Sequence, residues 1–190
     1  MPAEHFTFEE VETCRILRLT SDDGTNRLSR ECVCELTAVI EKLEPKPLVI
    51  TGNHHFFSAG ADLNEITALG SNAFDFALMG QRLMLAVDQF PAPVCAAVYG
   101  YCMGGGLDLA LACDVRIAHP HAVFGHRGAA LGLITGWGGT QRLPRLVGRG
   151  KALEMFVAAE KVAAAKALEI GFVNEISDDP IARAIELLRR

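Results

Sequence analysis

The chain has 190 residues, half of them hydrophobic, and a formal net charge of −5. This length and apolar content are enough for one sizeable core and predict a single soluble, globular domain. The acidic balance gives no electrostatic basis for binding nucleic acid or an anionic membrane surface. Six cysteines, at 14, 32, 34, 95, 102 and 113, include no C-x-x-C pair, and most sit inside apolar runs as small hydrophobes. The first residues, MPAEHFTFEEVE, are acidic where a secretory signal needs basic and apolar segments, and no later run suits a bilayer span. A reducing, cytoplasmic location is the expectation.

In chain order, FTFEEVETCRILRLTS alternates apolar and polar side chains and predicts paired strands that open a sheet. DDGTN turns the chain. Ser29 can cap a helix over residues 30–43, where Val33, Leu36, Val39, Ile40 and Leu43 recur at helical spacing until Pro45 and Pro47 end it. Leu48, Val49 and Ile50 make a short buried strand, and TGNHHFFSAGAD reads as a glycine-containing loop with no regular element. A helix over residues 73–90 follows.

Residues 93–114, PVCAAVYGYCMGGGLDLALACD, are the organising stretch. Val94 to Tyr99 form an apolar run bounded by Pro93 and Gly100, as expected of a strand buried on both faces. Gly104, Gly105 and Gly106 let the backbone turn sharply and approach a ligand, and residues 107–113 then read as a buried helix. The first amides of such a helix lack intrahelical acceptors and lie at its positive end, an arrangement that suits an oxyanion.

Val115 to Ala118 form the next strand, and Val123 with Phe124 a further one. The glycine-rich GHRGAALGLITGWGG can pass close to a ligand. Residues 145–157 and 163–170 read as helices, the second ended by Gly171, with a short strand at 172–176 and a helix starting at 179. Repeated alternation of strand and helix predicts an α/β fold with mainly parallel strands.

The segments SAGADLNEI, AAVYGYCMGGGLDLALACDVRIA and FGHRGAALGLITGWGGTQRLPRLVG together resemble the enoyl-CoA hydratase/isomerase, or crotonase, family. The resemblance implies a spiral of repeated ββα units, with residues 1–176 as the core domain and 177–190 as a shortened carboxyl-terminal helical segment. It also implies acyl-CoA substrates whose thioester enolate is stabilised by two backbone N–H groups. By motif these are the amides of Ala61 and Gly105, and fixed donors of this kind act on charge that develops during reaction. Ala59, Gly60, Asp62, Gly104, Gly128 and Trp137 are expected to lie against the substrate.

Hydratases of the family carry one glutamate two residues after the glycine triplet and another in an F-G-x-P-E segment. Here those positions are Asp108 and Gly128, so one carboxyl is shortened by a methylene and the other is absent. His126 is a candidate for proton exchange, and Arg127 for pairing with a substrate carboxylate. Asp62 reads as a helix cap beside the oxyanion loop. His54 and His55 match no metal-ligand spacing, and no metal is expected.

Many relatives place basic residues near the CoA nucleotide. Here Arg27 is the candidate, and Asn64 stands where another would be. Coenzyme A enters as part of the substrate, not as a separate cofactor, and a carrier-borne thioester is the alternative, because its phosphopantetheine arm needs far less cationic contact. The resemblance implies a homotrimer or hexamer. Three readings follow: a hydratase or isomerase using Asp108; a decarboxylase using the same oxyanion hole, which needs no base; and a non-catalytic thioester-binding protein.

Overall fold

The computed structural model describes residues 5–68 and 70–189. Residues 1–4, 69 and 190, which include the outer ends of the two expected segments, lie outside the described residues. The chain opens with β1 (Phe6–Glu10) and β2 (Arg15–Leu19), the antiparallel pair expected from their alternation. The short β3 (Arg27–Leu28) leads into α1 (Arg30–Ile40), and the Ser29 side chain caps this helix by accepting from the Cys32 amide. Next come β4 (Leu48–Thr51), β5 (Phe56–Ser58), β6 (Gly60–Ala61), α2 (Leu63–Thr67) and α3 (Ala73–Asp88).

The central unit is β7 (Val94–Val98), β8 (Tyr101–Met103) and α4 (Gly105–Ala112). It is followed by β9 (Val115–Ala118), β10 (Val123–Gly125), a 3-10 turn at Gly128–Leu131, α5 (Gly139–Val147) and α6 (Arg149–Ala158). The chain closes with β11 (Val162–Ala163), α7 (Ala164–Glu169), β12 (Glu175–Ile176) and α8 (Pro180–Leu188).

A six-stranded sheet runs β1-β2-β4-β7-β9-β12, and apart from β1 its strands are parallel. A second layer holds the four-stranded β11-β10-β8-β5 and the pair β3-β6. Each repeat of the chain adds a strand to the large sheet, steps into the second layer, and returns by a helix. This is the crotonase-type spiral.

The purely apolar run of β7 follows from its place: it lies between β4 and β9, and both its faces are covered. Val94, Ala96 and Val98 face the main core, with Leu17, Leu48, Ile50, Phe57 and Phe124, while Cys95 and Ala97 face a smaller core with Ile16, Val49, Ile117 and Ala184 of α8. Asp179 caps α8 by accepting from the Ala182 amide, and the Tyr99 hydroxyl donates to the same carboxylate at 2.9 Å, tying this helix to the end of β7.

The structure differs from the sequence reading mainly in the second layer. The expected loop at 51–62 contains β5 and β6, and β8 follows β7 after a two-residue turn. These strands of two or three residues hold too few side chains to show a period. The helix expected over 145–157 is two helices, broken at Gly148 with φ 78°. Among the described residues no helix is long and apolar enough to cross a membrane.

Candidate active site

The site forms where β6 meets the start of α4. Gly60 has φ 93°, and a Cβ there would stand 2.5 Å from the Met103 carbonyl oxygen and 3.0 Å from the Gly105 nitrogen. Only glycine allows this approach. A Cβ on Gly105 would stand 3.3 Å from the Ala61 nitrogen and 2.5 Å from the Trp137 ring. The two backbone amides singled out in the sequence are therefore neighbours, with an indole over the second.

Hydrogen bonds fix this junction. The Gly60 amide donates to Ser58 Oγ at 3.0 Å, and that hydroxyl donates to the Asn26 carbonyl at 2.7 Å. The Asp108 amide donates to the Gly104 carbonyl at 3.0 Å, closing the first turn of α4. Trp137 is held against α3, where its Nε1 donates to the Phe76 carbonyl at 3.2 Å and the two rings lie 5.3 Å apart.

A cavity of about 710 Å³ opens over these amides. It is walled by Ala61 and Gly105, by Leu63, Ile66 and Phe76 on one side, and by Leu131, Leu133 and Ile134 on the other. Asp108 and Arg127 are its charged wall residues. Such a space, mainly apolar with a few polar groups, suits a small organic ligand.

Asp108 is 1% exposed. Thr135 Oγ1 donates a short hydrogen bond to its Oδ2. Its Oδ1 lies 3.3 Å from His126 Nε2, with no aligned hydrogen bond between them, and neither atom makes a well-formed hydrogen bond elsewhere among the described residues. The start of α5 closes over the pair: a Cβ on Gly139 would stand 2.2 Å from Asp108 Oδ1 and 2.9 Å from His126 Nε2. Burial pushes the Asp108 carboxyl up to about 7, against the opposing effects of the Thr135 hydroxyl, the Arg142 charge and the Gly139 amide. Burial lowers His126 to about 4.

Ala59, Ala61, Gly104, Gly105, Asp108 and Trp137 thus all stand on the cavity wall. The other candidates do not. His126 lies behind Asp108 and is 4% exposed. Gly60 shapes the junction from beneath. Asp62 caps α2, its carboxylate accepting from the Asn64 amide at 2.8 Å. Arg27 pairs with Asp23 at 2.9 Å, on exposed surface away from the cavity. Gly128 also lies off the wall, and a Cβ there would meet the Leu133 carbonyl oxygen at 2.8 Å, so a glutamate cannot be added without shifting the turn.

A family model described as enoyl-CoA hydratase/isomerase matches residues 11–188. The chain belongs to the enoyl-CoA hydratase/isomerase family. It is 42% identical over 156 residues to a Bacillus subtilis (strain 168) protein named "Probable enoyl-CoA hydratase", covering 78% of this chain and 60% of that protein. It is 36% identical over 182 residues to the crotonyl-CoA hydratase of Syntrophomonas wolfei, covering 93% of this chain and 70% of that one.

Among solved structures, Pseudomonas aeruginosa DspI superposes with a TM-score of 0.90 at 35% identity, over 97% of this chain and 73% of that one. The Bacillus anthracis enoyl-CoA hydratase superposes with a TM-score of 0.91 at 32% identity, over 98% and 76%. This member of the enoyl-CoA hydratase/isomerase family therefore shares the fold throughout while spanning 60% of the Bacillus subtilis relative.

Thr135 escaped the sequence reading. It meets Asp108 from 27 residues away, and a lone threonine in a glycine-rich loop carries no sequence signal. The seclusion of His126 escaped too, because a histidine after a strand reads equally well as exposed.

Proposed function

We propose that this family member acts on an acyl thioester, that the amides of Ala61 and Gly105 stabilise its enolate, and that Asp108 moves the proton. The observation that carries this reading is Asp108, the one cavity-wall carboxyl among the described residues, beside two neighbouring backbone amides. The amides hold the thioester oxygen as charge develops on it. A carboxyl near neutral pKa is suited both to take a proton from carbon and to return it.

One carboxyl favours isomerisation over two-carboxylate hydration. Asp108 takes a proton from the carbon beside the thioester of a 3-enoyl substrate, the C–H electron pair enters the enolate, and the same proton returns at the far end of the dienolate. Hydration needs a second group to orient water, and Gly128 supplies none. Incubation with crotonyl-CoA, 3-hexenoyl-CoA and methylmalonyl-CoA tests this. The expected result is conversion of the 3-enoyl ester to its conjugated isomer at unchanged mass. Gain of water by crotonyl-CoA alone, or no turnover of any ester, would overturn it.

A second reading rests on Arg127. It lies on the cavity wall without a hydrogen bond or ion pair among the described residues, and a malonyl-type carboxylate is a fitting partner. Decarboxylation then yields the enolate directly. On this reading, Arg127→Gln raises KM for a methylmalonyl thioester about tenfold or more, as expected for one charge-assisted hydrogen bond. N-acetylcysteamine thioesters, which lack the phosphates of CoA, make the measurement specific. An effect seen only with CoA esters assigns Arg127 to the nucleotide instead.

A further inference from the structure

His126 lies behind the proton-transfer residue, and its surroundings suggest a different role from direct contact with substrate. Its Nε2 and Asp108 Oδ1 are both buried and face each other at 3.3 Å, and neither makes a well-formed hydrogen bond, although the Gly139 amide also bears on the carboxyl. A buried polar atom without a partner is costly. One proton placed between these two atoms satisfies both.

We propose that His126 is a positioning residue that shares one proton with Asp108, so that the carboxyl becomes a base by passing its proton to His126 Nε2. The proposal rests on the reading of Asp108 as the proton-transfer group. At rest the pair is a carboxylic acid and a neutral imidazole. Transfer across the 3.3 Å gap gives carboxylate and imidazolium, and the carboxylate left behind stabilises the imidazolium it has made.

The proton then taken from the substrate carbon goes to Asp108, and the C–H electron pair goes to the enolate. Return of a proton from Asp108 to carbon, and of the shared proton from His126 to Asp108, restores the pair. No other reactant is required. A solitary carboxyl at this depth would instead have to send its proton out through the cavity, at a rate and pH set by its own raised pKa.

Besides the Thr135 hydroxyl and the Gly139 amide, charged and titratable groups bear on the pair. Arg142 of α5 lowers the Asp108 pKa by its charge. Arg142 is itself held by Asp88 at 3.4 Å and by the Met84 carbonyl. Cys102 of β8 lies close enough to feel the Asp108 charge and is fully buried, with its pKa raised well above the usual thiol value, so it stays neutral. From α6 the Phe156 ring approaches His126, 5.3 Å from the imidazole. Arg127 shares the cavity wall with Asp108.

The test is deuterium uptake at Cα of butyryl-CoA in heavy water, which reads enolate formation alone, in wild type, His126→Leu and His126→Gln. Leucine removes the partner, while glutamine keeps a polar group that cannot accept a proton. In both variants the ratio of the rate at about pH 8 to that at about pH 5.5 should rise at least about tenfold over wild type, with butyryl-CoA affinity unchanged. Equal pH profiles in wild type and either folded variant would overturn the proposal.

Nitrogen-15 spectra of unsubstituted protein give an answer independent of folding in the variants. The His126 imidazole signals should move through the same midpoint as the Asp108 carboxyl, and this movement should vanish in Asp108→Asn. Signals that stay constant through the Asp108 titration would also overturn it. If Asp108→Asn itself exchanged deuterium at the wild-type rate, the fault would lie with the reading of Asp108 and not with its partner.

Discussion

Asp108→Asn is expected to lower Cα deuterium exchange by about a thousandfold or more, within the range for losing a general acid–base group, while thioester affinity changes little. The amide keeps the shape of the carboxyl and can still accept from Thr135, so the α4 packing around it persists. It cannot take a proton from carbon. The oxyanion amides belong to the backbone and remain, which is why binding survives. Exchange at the wild-type rate in a folded variant would remove Asp108 from the chemistry.

The same variant has a signature in stability. The folded-state pKa of Asp108 is raised from 3.8 to about 7, so the folded protein holds this proton more tightly than the unfolded chain does. Its contribution is fully present below the unfolded pKa and is lost as pH rises through about 7. His126, lowered from 6.5 to about 4, works in the opposite sense: its contribution is present above 6.5 and is lost as pH falls towards 4. In urea titrations the stability of Asp108→Asn relative to wild type should therefore rise between about pH 4 and pH 7, because the variant lacks the loss brought by Asp108 and keeps the opposing change from His126. If the two proteins follow the same pH dependence, Asp108 is not a buried, raised acid.

The longer helices and the inner strands of the large sheet were legible where their side chains follow a period or a continuous apolar run. The residues of α1 recur at helical spacing, and β7 is apolar throughout because both its faces are covered. The second layer was not legible: β6 has two residues, and what defines it is the φ of Gly60. The oxyanion pair was found only through motif resemblance, since nothing in AGAD and GGG taken separately says that Ala61 and Gly105 meet. The neighbours of Asp108 belong to a third category. Thr135, His126 and Gly139 converge on it from β10 onward through tertiary folding, and no spacing rule joins them.

Gly60→Ala should reduce turnover about 100- to 1000-fold, the range for losing an oxyanion donor, in a protein that still folds. The added methyl would stand 2.5 Å from the Met103 carbonyl oxygen and 3.0 Å from the Gly105 nitrogen, so it drives β6 away from the start of α4 and separates the two amides. The backbone itself resists alanine, because φ is 93°. That strain costs about 1–3 kcal/mol. Gly148→Ala provides the comparison: φ there is 78° and no atom lies within 4 Å of an added Cβ, so it carries backbone strain without displacing a site amide. Similar melting temperatures with activity lost only in Gly60→Ala would locate the loss in the amide geometry. The thioester carbonyl offers a direct view. With a carbonyl-13C crotonyl-CoA, its infrared stretch should move to lower frequency on binding wild type, because two N–H donors polarise the bond, and should move less on binding Gly60→Ala. A folded Gly60→Ala with wild-type turnover, or a carbonyl stretch unmoved on binding wild type, would rule out Ala61 and Gly105 as the oxyanion donors.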